Sequence, residues 1–487
     1  MKKKITIVLL LAVFATLLVS VKKVLLFKWN DGIVQVRNLY KYTGGGIDVL
    51  VLGSSHVFND VNTQTLFDEY GIAAYVLAGS GQPFWNSYVY LKEALKTQKP
   101  KLVVLEGLSS SLEYLHADHG GIVKNNFGLK NGLLKFKSVL VSAPKNKRDD
   151  YLFGYRLYHS RYKELTAQDS KAFYQKGRFR DNKGFFTAPK TEKQTRPELS
   201  VTETTETLPL NKKHQKYFLK IMETCKKENI PVLVFVSPYV INENIQKHFN
   251  SLERLAKDLS VKFINYNRSG KYDEIGLDFS KDFMDFAHLN HSGSVKLSKS
   301  LGAYIKNNFS VPDRRGDKEY VSWGISSKIL KNESVNENIR KADNTDDFIK
   351  NIKENKGIKL YINTISSTRE IVGKGFFKKL GANGTALKDG RLYGFDNGAL
   401  TELSGNKINW RHVAGLFDEK IIFEQKRAYS DKLSAVNSLF YNGKEYIDDK
   451  NGTYIVAYDT VSREVVAVRQ IVCKKDGKEC VLELVKK

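Results

Sequence analysis

The sequence predicts an α/β domain, a parallel sheet with helices on both faces, followed by a smaller α+β, β-rich domain. Three observations carry this reading. Short β-branched apolar runs, at residues 48–52 and 230–236, alternate with stretches of helical periodicity, as expected of strands buried on both faces. The segment Pro312-Asp-Arg-Arg-Gly316 then breaks the alternation, with the residue types that punctuate chains. Beyond it the strands become shorter and more polar, a β-rich texture.

Taken in order, residues 47–106 read as three strand-helix units, with strands at 48–52, 73–77 and 102–105 and a helix over 57–70. Residues 107–210 lack clear periodicity and read as an insertion, within which 189–207, rich in Lys, Thr and Glu, reads as a flexible surface segment. Helix 212–228, strand 230–236, helix 245–259 and strand 261–266 resume the pattern. After the break come helix 345–354, strand 358–362, helix 371–380 and strands at 454–459, 465–471 and 481–485. The expected organisation is a membrane anchor over 1–27, an α/β domain over 28–310 and an accessory domain over 320–487.

Composition narrows the classes. With 487 residues the chain has room for more than one domain, and its 3 cysteines exclude a disulfide-built scaffold. Cys473 and Cys480 flank a polar hairpin loop and are placed for a cross-strand disulfide in an oxidising compartment, while Cys225 falls on an amphipathic helix as a core residue. The formal charge of +25 favours anionic partners such as teichoic acids, acidic polysaccharides or lipid headgroups. Lysines spread over solvated faces account for it equally well. No nucleic-acid module is present, so nucleic acid is not an expected partner.

The N-terminus sets the compartment. Met1-Lys-Lys-Lys4 precedes an almost unbroken apolar run over 5–21, followed by Lys22-Lys23 and an apolar patch at 24–27. Leading lysines predict an N-in orientation, and the run is at the short end of what spans a bilayer. A cleaved signal peptide is the competing reading, but no small-residue cleavage site lies near Ser20. The expectation is a single-pass signal anchor with the remaining chain outside the cytoplasm.

Two short motifs carry chemistry. Gly53-Ser54-Ser55-His56 follows the first strand, and Asp285-Phe286-Ala287-His288 precedes the last helix of the α/β pattern. A serine on a strand-to-helix turn, with a base and an orienting carboxylate, is what nucleophilic acyl transfer needs. Ser54 or Ser55 serves equally well as a helix N-cap. Asp285 and His288, three apart, can face one way on a turn. His116-Ala-Asp-His119 lacks an obvious third ligand and reads as a solvated loop; no metal or other cofactor is expected.

This arrangement resembles the SGNH, or GDSL-type, hydrolase superfamily, over roughly residues 47–309. The resemblance implies a flavodoxin-like three-layer fold with Ser55 as nucleophile, His288 as base and Asp285 orienting it. It also implies an oxyanion site at the amides of Ser55 and Gly81, the latter in Ala78-Gly79-Ser80-Gly81-Gln82-Pro83, with Ser54 and Gln82 beside the substrate. The family's oxyanion asparagine is missing: Glu106-Gly107 follows the third strand, and Val76 stands where another asparagine is usual. Members with such an anchor modify cell-envelope polysaccharide or teichoic acid alongside a membrane-bound O-acyltransferase. The implied activity is therefore O-acyl transfer, or esterase action, on a surface polysaccharide, most simply with acetyl. The alternative is a catalytically inactive glycan-binding scaffold. Residues 358–381 and 441–471 are similar to the two halves of an ILEI or PANDER-like domain, in reversed order.

Overall fold

The computed structural model describes residues 46–153 and 190–364 continuously, with shorter stretches between 10 and 42, 158 and 188, and 379 and 484. Contacts divide the chain into two compact units, the first running to Ser327 and the second from Lys328.

The first unit is built on five parallel strands: β1 (Val49–Gly53), β2 (Ala74–Ala78), β3 (Leu102–Glu106), β4 (Val232–Val236) and β5 (Lys262–Asn265). Their order is β2-β1-β3-β4-β5. Alternate side chains serve opposite faces. Val49, Val51 and Val104 pack with Leu66, Leu297 and Leu301 on one face, while Leu50, Leu52 and Leu105 pack with Leu91, Phe218 and Ile221 on the other. Helices on both sides make every residue of β1 to β3 buried. In the helix Lys212–Lys227, Phe218, Ile221, Met222 and Cys225 form the inward stripe that fixes its rotation. This is the expected α/β fold class.

Three expectations need revision. The helix read over 57–70 is two helices, Ser55–Asp60 and Thr63–Tyr70. Asn62 splits them, its Oδ1 accepting the Gln64 and Thr65 amides at 3.1 and 3.0 Å, because a capped second start outcompetes continuation. The insertion has regular structure: helices His119–Asn126, Leu133–Ser142 and Arg148–Phe153 bury Ile122, Val123 and Val139 against Ile33. Asp118 caps the first of these through the Gly121 amide at 2.6 Å, so the exposed His116–Asp118 loop leads into a helix that opens at His119. Residues 191–198 are pinned by backbone bonds from Glu192 to Phe283 (2.8 Å) and Gln194 to Phe279 (2.7 Å), and by a bidentate Arg196–Asp273 pair.

The segment 312–316 is held against this unit. Arg314 makes a two-pronged bond to Asp48 at 2.7 and 3.0 Å, and its amide donates to Gly71 O. Among the described residues no helix is long and apolar enough to cross a membrane. Most of the expected anchor lies outside the described residues.

The second unit holds two antiparallel sheets. One has the order β15-β14-β13-β6-β7-β8 and the other β12-β11-β10-β9. Their strands are β6 (Ile358–Thr364), β7 (Arg391–Asp396), β8 (Ala399–Glu402), β9 (Trp410–Ala414), β10 (Ile421–Arg427), β11 (Ala435–Tyr441), β12 (Lys444–Ile447), β13 (Thr453–Asp459), β14 (Glu464–Cys473) and β15 (Cys480–Leu484). The helix Thr345–Glu354 lays Phe348, Ile349 and Ile352 on one face of β6 and β13. Tyr361, Tyr454 and Val456 point to the other face, where they cluster with Phe423 of β10. Cys473 and Cys480 are register partners, while the expected disulfide involves side chains outside the described residues. Most of the expected helix 371–380 also lies outside them.

Candidate active site

In an open parallel sheet of this order, β1 and β3 leave in opposite directions, and the crevice beyond their carboxyl ends is the natural ligand position. Ser55 opens the helix that follows β1, and Glu106 ends β3. Gly53 pairs with Ala78, so the Gly79–Gln82 turn after β2 emerges beside the serine turn.

The structure brings Ser55, His288 and Asp285 together across 233 residues of sequence. Ser55 Oγ lies 2.8 Å from His288 Nε2, and His288 Nδ1 lies 2.9 and 3.1 Å from the two Asp285 oxygens. The motif sits in a loop closed by a bridge between Phe283 and Leu289, with the Met284 amide donating to His288 O at 3.0 Å. Asp285 Oδ1 also accepts the Ala287 and His288 amides at 2.8 and 2.9 Å. Burial alone would raise the Asp285 pKa, but His288 and these amides outweigh it and hold the carboxyl below its usual range. An ionised Asp285 accepts a hydrogen bond from Nδ1–H, which fixes the tautomer and leaves Nε2 to accept the Ser55 hydroxyl. Burial, then the charge of His56, push the His288 pKa below its usual value despite Asp285. The imidazole is thus a free base at neutral pH.

Ser54 and Ser55 divide the two roles weighed from sequence. Ser54 is the N-cap, accepting the His56 amide at 3.4 Å, and its hydroxyl donates to Glu106 Oε2 at 3.2 Å. It is buried, whereas Ser55 is half-buried. Gln82 is fully buried, donates to Ser87 Oγ at 3.0 Å and leaves its Oε1 without a protein partner among the described residues. Gly81 has φ +56°, a conformation that favours glycine, and its carbonyl accepts the Tyr114 hydroxyl at 2.8 Å. Among the described residues, neither the Ser55 nor the Gly81 amide meets a protein acceptor. Val76 is a core residue and supplies no donor.

Beneath the serine lies a polar network that sequence reasoning missed. Glu106 Oε1 accepts the Leu108 amide at 2.7 Å. His56 Nδ1 sits 3.8 Å from the same oxygen, at ion-pair rather than hydrogen-bond range. The His56 ring meets His288 edge-on at 5.4 Å and Tyr239 at 4.5 Å between centroids. Burial lowers the His56 pKa, but Glu106, with Asp60 and Asp285, more than offsets it and leaves it raised. Asp60 ends the serine helix. It accepts the Ser237 hydroxyl and, at 2.9 Å, the Leu289 amide, tying that helix to β4 and to the histidine loop. Burial pushes the Asp60 carboxyl up to about 7, against the pull of His56 and these hydrogen bonds. The available signal was a charged residue closing the apolar strand Leu102–Glu106.

Among the described residues no cluster of His, Cys, Asp and Glu is arranged to hold a metal ion. No family model and no curated protein matches the chain. Among solved structures it is similar to a protein from Bacteroides fragilis NCTC 9343 described as a proposed acylhydrolase, at 14% identity and a TM-score of 0.28, over 56% of this chain and 94% of that one.

Proposed function

We propose that this chain is a serine-dependent acyl-transfer enzyme acting on a cell-surface polysaccharide. The observation that carries the chemistry is the continuous relay from Ser55 Oγ through His288 to Asp285 at the head of a strand-turn-helix. Ser55 Oγ attacks the acyl carbonyl while His288 Nε2 takes its proton. The tetrahedral oxyanion is held by the Ser55 and Gly81 amides, without the side-chain donor that Glu106 cannot supply. Loss of one such donor costs about 3 kcal/mol, which makes a slow enzyme. Collapse expels the alcohol, protonated by His288, and leaves acyl-Ser55. A second hydroxyl, of water or of a sugar, then loses its proton to His288, attacks the ester and releases Ser55.

The site and substrate class rest on separate support. Lysines around the N-terminal apolar run favour a membrane anchor with this unit outside the cytoplasm, and the net charge of +25 favours an anionic polymer. Transfer is favoured over hydrolysis because an anchored enzyme stays beside a membrane-bound O-acyltransferase that delivers acyl groups. The scaffold reading draws on Glu106, an acceptor where a donor is expected. Acetyl-ester turnover by the purified chain separates the two: the enzyme reading requires turnover that Ser55→Ala abolishes. The scaffold reading requires equal background from both.

A further inference from the structure

The helices that cover one face of the sheet form a groove of about 790 Å³ that no part of the serine chemistry uses. Its walls come from the helices Phe84–Ala94, Leu133–Ser142 and Lys212–Lys227, with residues 115–116 at one end. Lys92, Lys137, Arg148, Lys213 and Lys220 line it, and no acidic side chain does. None of these five has a carboxylate partner among the described residues. Arg148 Nε is buried without any hydrogen-bond partner.

Five cations gathered without acids repel one another, and a solvated lysine would ordinarily turn away. Here they are held. Lys213 Nζ sits 3.8 Å from the centre of the Trp85 ring and donates to the carbonyls of Leu115 and Val141. Lys220 Nζ lies over Tyr217 and Tyr88 at 5.1 and 5.6 Å. Burial, and then the charge of Arg148, lower the Lys213 pKa to about 8. Tyr88 and Tyr217, half-buried with ring centroids 5.8 Å apart, line the same groove beside these cations.

The groove also touches the serine site through one short segment. Leu115 is in its wall, and the adjoining Tyr114 donates its hydroxyl to Gly81 O at 2.8 Å, in the turn beside Ser55.

We propose that this groove binds an anionic polyol or sugar chain, whose phosphodiester or carboxylate groups pair with Lys92, Lys137, Arg148, Lys213 and Lys220. The chain so held runs toward the Gly81 turn, which makes the groove a subsite for the polymer on which Ser55 acts. That last step rests on the proposed function; binding in the groove does not.

Binding is measured with the full chain in detergent micelles, using poly(glycerol phosphate) and polygalacturonate as probes. A groove triple variant, Lys92→Gln, Lys137→Gln and Lys220→Gln, is compared with a control triple of exposed lysines, Lys226→Gln, Lys257→Gln and Lys262→Gln, which carries the same change in net charge. The groove triple is expected to raise Kd about 10-fold or more and to flatten its salt dependence. The control is expected to change Kd less than about 2-fold. The polymer that shows the groove-dependent loss identifies the anion as phosphodiester or carboxylate. Equal loss from both triples, or from neither, overturns the proposal, because attraction would then be diffuse or absent. So does loss of binding to phosphatidylglycerol vesicles with polymer binding unchanged. Ser55→Ala should bind as the wild type does, which separates failure of the groove from failure of the serine assignment.

Discussion

The parallel and antiparallel units bury charge for different ends. In the first, β1, β2 and β3 are covered on both faces and all deliver their carboxyl ends to one rim. There the buried Glu106, His56 and Asp60 lie under a half-buried serine. In the second, neighbouring strands run in opposite directions, so their ends are split between two edges. Its buried charges pin structure. Asp459 accepts from Asn336 at 2.7 Å and from the Val461 amide at 2.8 Å, and Arg469 caps the Ile339 and Arg340 carbonyls at 3.0 and 2.8 Å. Buried charge alone therefore does not mark a site. Convergence of strand ends on an accessible serine and histidine pair does.

The comparison is sharpened most by removing the relay. Ser55→Ala and His288→Ala should each lower acyl turnover about 10⁴-fold or more, and the double variant should cost little beyond either. Asp459→Asn, in the other unit, should leave kcat/KM unchanged. Additive losses at Ser55 and His288 would break the idea that they act as one unit.

Next in size is Asp285→Asn, which keeps the shape but loses the charge that fixes the His288 tautomer. Turnover should fall roughly 10²- to 10⁴-fold, read as kcat with KM little changed.

Ile455→Ala tests the division of labour from the opposite side. Ile455 is fully buried between the helix Thr345–Glu354 and the six-stranded sheet. Its truncation should destabilise that unit by about 2–5 kcal/mol, seen in urea unfolding, while turnover by the folded protein stays level. A parallel loss of turnover would make the second unit part of the site.

Glu106→Gln has the smallest expected effect and the most specific one. His288 must be neutral to accept the serine proton, so rate falls as pH drops through its pKa, which lies below the ordinary histidine value. His56 contributes to that depression, and Glu106 favours the charged form of His56. Neutralising Glu106 should move the acid limb of the pH-rate profile upward, together with a stability loss of about 1–3 kcal/mol. Asp459→Asn should cost stability with no movement of the limb.

The parts legible in sequence were those that local chemistry fixes. An apolar strand ending in Gly-Ser-Ser names the turn, and Asp285 and His288 lie close enough for one loop to join them. The fold class followed from strands too apolar to face water. The network of Glu106, His56, Asp60 and Ser237 was not legible, because its members come from three strand ends and meet only after the sheet assembles. The helix His119–Asn126 was missed because Gly120, Gly121, Asn125 and Asn126 dilute its apolar stripe to Ile122 and Val123. Strands β7 to β12 were missed for a related reason. The strands β8 and β12 have four residues each, and segments such as Lys444–Ile447 carry too few alternating apolar residues to stand out.

The central claim, that Ser55 is the residue acylated, is tested most directly by covalent labelling. The purified chain is incubated with an alkyl fluorophosphonate and the adduct is mapped by peptide mass spectrometry. The relay predicts one adduct, on Ser55 Oγ, abolished by Ser55→Ala and strongly slowed by His288→Ala. Modification at Ser54 in place of Ser55, or an unmodified protein shown by its cooperative unfolding to be intact, would contradict it.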